Sequence, residues 1–511
     1  MDADAHDAAM DEGRSGDRAL LHAGDPPLRL MGRVSPSPRV HYRMHTFDLA
    51  PGATRLTVRL HFHKERLCQL FLAVFDPQEY RGTRMNPAGY GDITLELQLG
   101  EREAGPGALP GPLRPGRWRV MVDIERTIET AEYVVEVVAE AEAPDAGVPT
   151  DDPEGRIVSV AEPHDAPVVM RGAGWYRGEL HAHSWNSDGK VPVWQVIEAA
   201  RAYGLDFLAL TDHFTTAGWR DLIRAGAGGS DLALLHGLEL TGHAGHANLH
   251  GLRQWVNIYA DGPALDTQGR ATPVGPAETT APDAHWDINA VARAAHAQGG
   301  LFCVNHPFSG DLGWRYHAFD WDLADLMEVY HHLEGPHNAL ALGLWDEHLR
   351  QGRRIIGVAG IDSHHPREQR HRLGQCFTWV YAAELSEAGI IAGLRTGRVY
   401  ASLGPRLDYW AEGADGARTE MGATAPCGSP LRLHVEVSDL RYPAQLYLLK
   451  NGFYHESVAV APGSSRMVDF TDTPTAPGYY RVELYADQPQ ETRPYRQPST
   501  FLLLSNPIFI R

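Results

Sequence analysis

Gly178-Glu179-Leu180-His181-Ala182-His183-Ser184-Trp185-Asn186-Ser187-Asp188-Gly189-Lys190 is the stretch that decides how this chain is read. Alternate side chains of a strand share a face, so His181 and His183 point the same way at the end of an extended run. Asp188-Gly189 closes the loop that follows. Pro192 then suits a first helical position, and Gly204 stops the helix. Two imidazoles and a carboxylate at a strand end, just ahead of a helix, are the residue types of a metal site on a strand–helix unit.

The same unit recurs downstream. Apolar runs at 207–210, 232–235, 301–304, 326–330, 355–358 and 376–381 read as buried strands. Helices are predicted between several of them: one begins after Asp287, a plausible N-cap, and ends at Gly299, and another covers 339–350 and stops at Gly352. Repeated strand–helix units make an α/β domain with a largely parallel sheet. The strand ends carry polar residues: Asp212-His213, Glu239, His246, Asn305-His306 and Asp362-Ser363-His364. That gathering favours a barrel, because barrel enzymes keep their chemistry at strand ends.

On both sides the pattern changes to period-two alternation with Gly/Pro punctuation, the mark of antiparallel β structure. The expected organisation is a disordered tail over 1–35, an N-terminal β-sandwich over 36–145 and a linker over 146–174. The barrel then occupies 175–410 and a smaller C-terminal β-domain 411–511.

Composition narrows the partners. The 511 residues carry 46 basic and 65 acidic groups, a net charge of −19, and no basic block. Nucleic-acid binding by phosphate neutralisation is therefore not expected. Cys68, Cys303, Cys376 and Cys427 are far apart and suit neither a disulfide framework nor a thiolate zinc site. No apolar run approaches the ~20 residues of a membrane-spanning helix. The acidic N-terminus lacks the basic start and apolar core of a secretory signal, so the expected address is cytoplasmic. A small-molecule substrate is the expected partner, with oligomeric state left open.

Of 27 histidines, 18 fall between His181 and His371. Any one of them alone reads as a surface residue or a hydrogen-bonded core histidine. As a set at one end of a domain they would leave several buried groups unpaired, at roughly 1–3 kcal/mol each. Divalent ions remove that penalty, and this mix of nitrogen and oxygen donors suits zinc, manganese or iron.

The order HxH, DG, DH, Glu, His, NHP and DxH resembles the PHP (polymerase and histidinol phosphatase) superfamily. The pieces GELHAHSWNSDGK, GLDFLALTDH and GHANLHGL resemble its CehA/McbA branch, as do GALPGPLRPGRWRV and SNPIFI in the flanks. The resemblance implies a distorted (β/α)7 barrel with two or three divalent metal ions. It implies that His181, His183, Glu239 and Asp362 hold the first ion. Glu239 would bridge to a second held by His246 and His306, with His243 and His250 nearby in sequence. Asp188, His213 and His364 would hold the third. A rival, the amidohydrolase superfamily, often bridges its metals through a carboxylated lysine. This region offers only Lys190, before a helix, where no such bridge could sit.

A divalent ion lowers the pKa of bound water from 15.7 toward about 7. The expected reaction is therefore hydrolysis by a metal-bound hydroxide, with Glu239, His246 and Asp362 as catalytic residues. Lys190, Arg315, His317 and His331 are candidate substrate contacts; His332 and Trp314 stand beside them in sequence. His296 and His348 are expected on solvated helix faces, and His365 and His371 at the surface or behind the ligands. Three ions against three ligand carboxylates leave three excess positive charges, which favours a phosphoesterase. Two ions leave one, which tolerates a carbamate or carboxylester. A third possibility, of another class, is a noncatalytic metal-holding binding protein.

Overall fold

The computed structural model describes residues 19–36, 42–85, 89–141, 158–159, 171–226, 231–242, 244–256, 287–332, 335–368, 372–487 and 501–511. Contacts divide the chain into two units, Met1–Val160 with Pro263–Pro282, and Ala161–Gly262 with Asp283–Arg511.

The first unit is built on two sheets of five and six strands. Alternation along its strands puts every second residue inside: Leu56, Val58 and Leu60 are fully buried and pair across the ladder with Leu99, Leu97 and Leu95. Residues of both sheets join one apolar core that includes Phe47 and Trp118, the arrangement of a β-sandwich. The expected tail ends in structure. Leu28–Val34 is a strand paired antiparallel with Ala131–Glu140, and Leu20–Leu21 pairs with Tyr42–Leu49. Residues 1–18 of that stretch, and most of the linker read over 146–174, lie outside the described residues.

The second unit carries the strand–helix pattern. Phe207–Leu210 and Leu301–Val304 form as read, every residue buried, as parallel strands require. The helix Val193–Ala202 buries Val193, Val196, Ile197 and Ala200, a stripe at three- and four-residue spacing. Pro192 is its N-cap rather than its first residue. Asp287 caps Ile288–Ala297 by accepting the Ala290 N–H at 2.9 Å.

The closed barrel does not form. The sheet is an open path in the order Ile356–Gly360, Leu326–His331, Leu301–Val304, Gly245–His250, Ala233–Gly242, Phe207–Leu210, Gly174–Glu179, Phe377–Ala382. Its parallel runs are interrupted because Ala233–Gly242 and Gly245–His250 make a hairpin, leaving no crossover helix between them. Phe377–Ala382 also runs antiparallel to Gly174–Glu179. Beyond the path, a single bridge between Ala182 and Ser363 brings two distant strand ends together.

The stretch read as a separate C-terminal β-domain instead continues this sheet. Val399–Ser402 pairs with Phe501–Ser505, which leads on to Gly478–Ala486, Ala444–Lys450 and Phe453–Val460. A further four-stranded sheet holds Arg406–Gly413 and Leu431–Leu440, and its apolar side shares the core. Among the described residues, no helix is long and apolar enough to cross a membrane.

Candidate metal centre

The ligand candidates enter where strands end. His181 and His183 follow Gly174–Glu179, and their backbone is locked to a second loop: the His183 N–H donates to the Ser363 carbonyl at 2.9 Å, and the Ser363 N–H donates to that of His181 at 3.1 Å. Residues 180 apart are thereby neighbours, and Asp362 and His364 flank the histidine pair. His213 follows Phe207–Leu210 and bridges in parallel to Glu239, which lies inside Ala233–Gly242. The hairpin returns His246 opposite Thr241, and His306 follows Leu301–Val304.

Glu239 stands at the centre, 1% exposed. Its Oε2 lies 3.0 Å from His213 Nδ1, 3.2 Å from His181 Nε2 and 3.4 Å from His183 Nε2. Its Oε1 lies 3.2 Å from His246 Nδ1 and 3.6 Å from His306 Nε2. Asn305 Nδ2 donates to Oε1 at 2.9 Å and so fixes the rotation of the carboxylate. Asp362 Oδ1 is 2.8 Å from His183 Nε2, 3.3 Å from His181 Nε2 and 3.4 Å from His364 Nδ1. Asp188 reaches His364 Nε2 at 3.1 Å and His213 Nε2 at 3.5 Å.

Three of the resulting groups have ligand atoms mutually within 4.8 Å: His181, His183, Glu239 and Asp362; Glu239, His246 and His306; and His183, His213 and His364. The donor set fits divalent cations. His181 Nε2, Glu239 Oε2 and His306 Nε2 are buried and have no hydrogen-bond partner, a cost of roughly 1–3 kcal/mol each that a bound ion removes. The backbone points the same way. His306 and Asp362 adopt φ of +25° and +52°, conformations that L-residues keep only where the surroundings over-determine them.

Electrostatics without ions show how tightly these charges are coupled. Burial opposes charge on Glu239, yet the His181 and His213 rings hold its carboxyl well below the usual range. Asp362 is likewise held low, against burial, by His181 and His364. Burial pushes His213 and His306 down to about 4, leaving both rings neutral, which is the form that ligates metal. Burial also opposes charge on His364, but Asp188 and Asp362 push it up to about 10.

The other sequence candidates divide. His331 enters the site: its Nδ1 is 3.2 Å from Glu328 Oε2, its Nε2 is 4.0 Å from Asp362 Oδ2, and its ring centroid is 4.6 Å from that of His306. His332 Nε2 is also 4.0 Å from Asp362 Oδ2. Lys190 is exposed, and its backbone N–H donates to the His364 carbonyl. Arg315 and His317 are exposed, with Arg315 Nη1 donating to the Gly313 carbonyl at 3.1 Å. The expectation of solvated faces fails for one helix histidine, His348, while His296 stays partly exposed. His348 is buried against Trp321, with ring centroids 4.0 Å apart, and His296 Nε2 lies 2.7 Å from Asp325. His243 and His371 lie outside the described residues.

Sequence reasoning passed over Glu328. It lies in the wholly buried strand Leu326–His331, 2.7 Å from His181 Nδ1, and forms a donor group with His181 and His306. A carboxylate inside an otherwise apolar run was the available signal.

These features define a buried, multi-histidine candidate metal centre on a mixed α/β sheet. No family model and no curated protein matches the chain. Among solved structures it is similar to a two-domain protein from Bacteroides vulgatus containing a predicted PHP-like metal-dependent phosphoesterase. Identity is 18%, coverage is 69% of this chain and 99% of that one, and the TM-score is 0.36. It is also similar to an amidohydrolase from Chromobacterium violaceum with bound sulfate and no metal. There the identity is 18%, over 38% of this chain and 90% of that one, with a TM-score of 0.27. The functional reading rests on the residues of the site.

Proposed function

We propose that this chain is a PHP-type metal-dependent hydrolase acting on phosphoric esters. The observation that carries the reading is Glu239, whose two oxygens divide five imidazoles into a set of three and a set of two. A carboxylate so placed could serve two cations.

In this reading His181, His183, Glu239 and Asp362 hold one ion, and Glu239, His246 and His306 a second. Asp188, His213 and His364 hold a third. Zinc, manganese and iron suit these donors. Bound ions of this kind acidify a coordinated water and polarise the bond under attack. The remaining work belongs to the chain. Asn305 holds the Glu239 carboxylate in place between its two sets of histidines. Burial keeps His213 and His306 neutral, with lone pairs available. His331, beside Asp362 and His306, is placed to bind a substrate oxygen or to hold a proton for the leaving group.

Charge bears on the substrate class through the number of ions held. Three divalent ions against Asp188, Glu239, Asp362 and Glu328 leave two excess positive charges, which favours a phosphate ester. Two ions leave none, which suits a neutral carbamate or carboxylester. The test is turnover of p-nitrophenyl phosphate and of a naphthyl N-methylcarbamate, before and after chelation and after reloading with zinc or manganese. Phosphate-ester turnover that chelation abolishes and metal restores is expected. Turnover of the carbamate alone would move the assignment to the carbamate/carboxylester hydrolases. No metal-dependent turnover of either would leave a noncatalytic binding protein.

A further inference from the structure

Glu328 has none of the ligand roles above, yet its carboxylate meets the site from behind. Oε1 accepts the His181 Nδ1 proton at 2.7 Å, and Oε2 accepts the His306 backbone N–H at 2.8 Å. An ionised carboxylate only accepts. The His181 proton therefore sits on Nδ1, and Nε2 is turned toward Glu239 and Asp362, at 3.2 and 3.3 Å. The second oxygen holds the His306 backbone, whose φ of +25° needs such support.

The neighbouring strand makes room for this carboxylate. Ile356–Gly360 runs parallel to Leu326–His331, and a Cβ built on Gly360 would lie 1.9 Å from Glu328 Oε1 and 2.8 Å from its Cδ. The same Cβ would lie 3.1 Å from the His181 Cβ. Gly360 has no left-handed φ to explain it, unlike many glycines of the chain. Its missing side chain is the space Glu328 occupies.

We propose that Glu328, accommodated by Gly360, is a positioning residue that sets the His181 tautomer and the His306 backbone for metal binding. The proposal rests on the metal-centre reading above. The duller account is that Glu328 only satisfies buried donors and supports the fold. The two differ in what its replacement does to bound metal.

The experiment uses the full chain stripped of metal. Zinc affinity is read by competition with a chromogenic chelator, the ligand field by the visible spectrum at saturating cobalt, and the fold by the melting temperature without metal. Glu328→Gln keeps the shape but turns an amide N–H₂ toward a donor. It should weaken zinc about 10- to 100-fold, the usual effect of losing a partner that orients a ligand. The cobalt bands should move while the metal-free melting temperature stays with the parent. Gly360→Ala should do the same, and it carries the test if Glu328→Gln does not fold. Because both act through one carboxylate, the double variant should bind no more weakly than the weaker single one.

Parent zinc affinity with parent cobalt bands in Glu328→Gln would overturn the proposal. So would weaker zinc binding that comes only with a lower metal-free melting temperature and unmoved cobalt bands. Additive losses in the double variant would overturn the role given to Gly360. A parent chain that takes up no metal overturns the metal-centre reading itself, an outcome distinct from a metal-binding parent matched by its variant.

Discussion

Asp188 and His364 face each other at 3.1 Å, Oδ2 to Nε2, although 176 positions separate them in the chain. The contact joins the loop after one strand to the loop after another, and His213 completes it at 3.5 Å from Asp188. His213 and His364 also reach Glu239 and Asp362, at 3.0 and 3.4 Å, so among the corner residues Asp188 is the one assigned to this site alone. Asp188→Asn should therefore remove one bound ion per chain while the others stay. Elemental analysis after dialysis reads the count directly, and an unchanged count would take Asp188 out of the ligand set.

Glu239 is shared, so its loss should not be confined to one ion. Glu239→Gln should strip at least two ions and lower turnover by more than about 100-fold, above the usual effect of an outer-shell change. His306→Ala and Asp362→Ala should each remove nearly all turnover. Steady-state rates with p-nitrophenyl phosphate under saturating metal check all three, and parent rates in any of them would break the site.

Asp212, next to His213 in the chain, offers a pH test on a residue that is not itself a proposed ligand. Its carboxylate accepts from the Ser184 N–H and hydroxyl at 2.7 Å each and from the Ser187 hydroxyl at 2.8 Å, pinning the loop that carries Asp188. Burial pushes its pKa up to about 6, outweighing these hydrogen bonds. A folded value above the unfolded one means the folded chain binds this proton more tightly. The resulting stability is full below about pH 4 and disappears as pH rises through 6, by up to about 3 kcal/mol. The stability of the metal-free parent relative to Asp212→Asn should fall across that window in urea titrations. A pH-independent difference would mean that Asp212 does not titrate there.

A fourth variant tests the frame. Arg481, 1% exposed, donates to Asp346 at 2.9 and 2.6 Å and to Glu483, tying the helix Gly335–Arg350 to the strand Gly478–Ala486. Arg481→Ala leaves those carboxylates buried without their partner and should destabilise the unit by about 3–5 kcal/mol. Metal content in the native variant should match the parent. A loss under 1 kcal/mol in denaturant melts would show that the network relaxes.

Much of this was legible in advance where a local rule suffices. Phe207–Leu210 and Leu301–Val304 needed only an apolar run between turn signals, and Asp287 needed only a side chain able to cap a helix. Helices at Gly218–Gly226 and Glu387–Thr396 were not read, nor was the strand Gly245–His250. That strand pairs through a short turn, and its register depends on neighbours on both sides. Glu328 stayed hidden because nothing in Leu326–His331 says which partner its carboxylate will meet.

The sequence by itself determined the candidate ligand set: imidazoles and carboxylates placed where apolar runs stop. Those assignments follow from side-chain identity and strand periodicity, which are local. Only the tertiary structure decided that the sheet stays open, that the C-terminal strands extend it, and that Glu239 faces five histidines from four different segments. It also decided that Gly360 leaves room for Glu328. Such facts depend on register and close approach between residues far apart in the chain, and no local propensity encodes them.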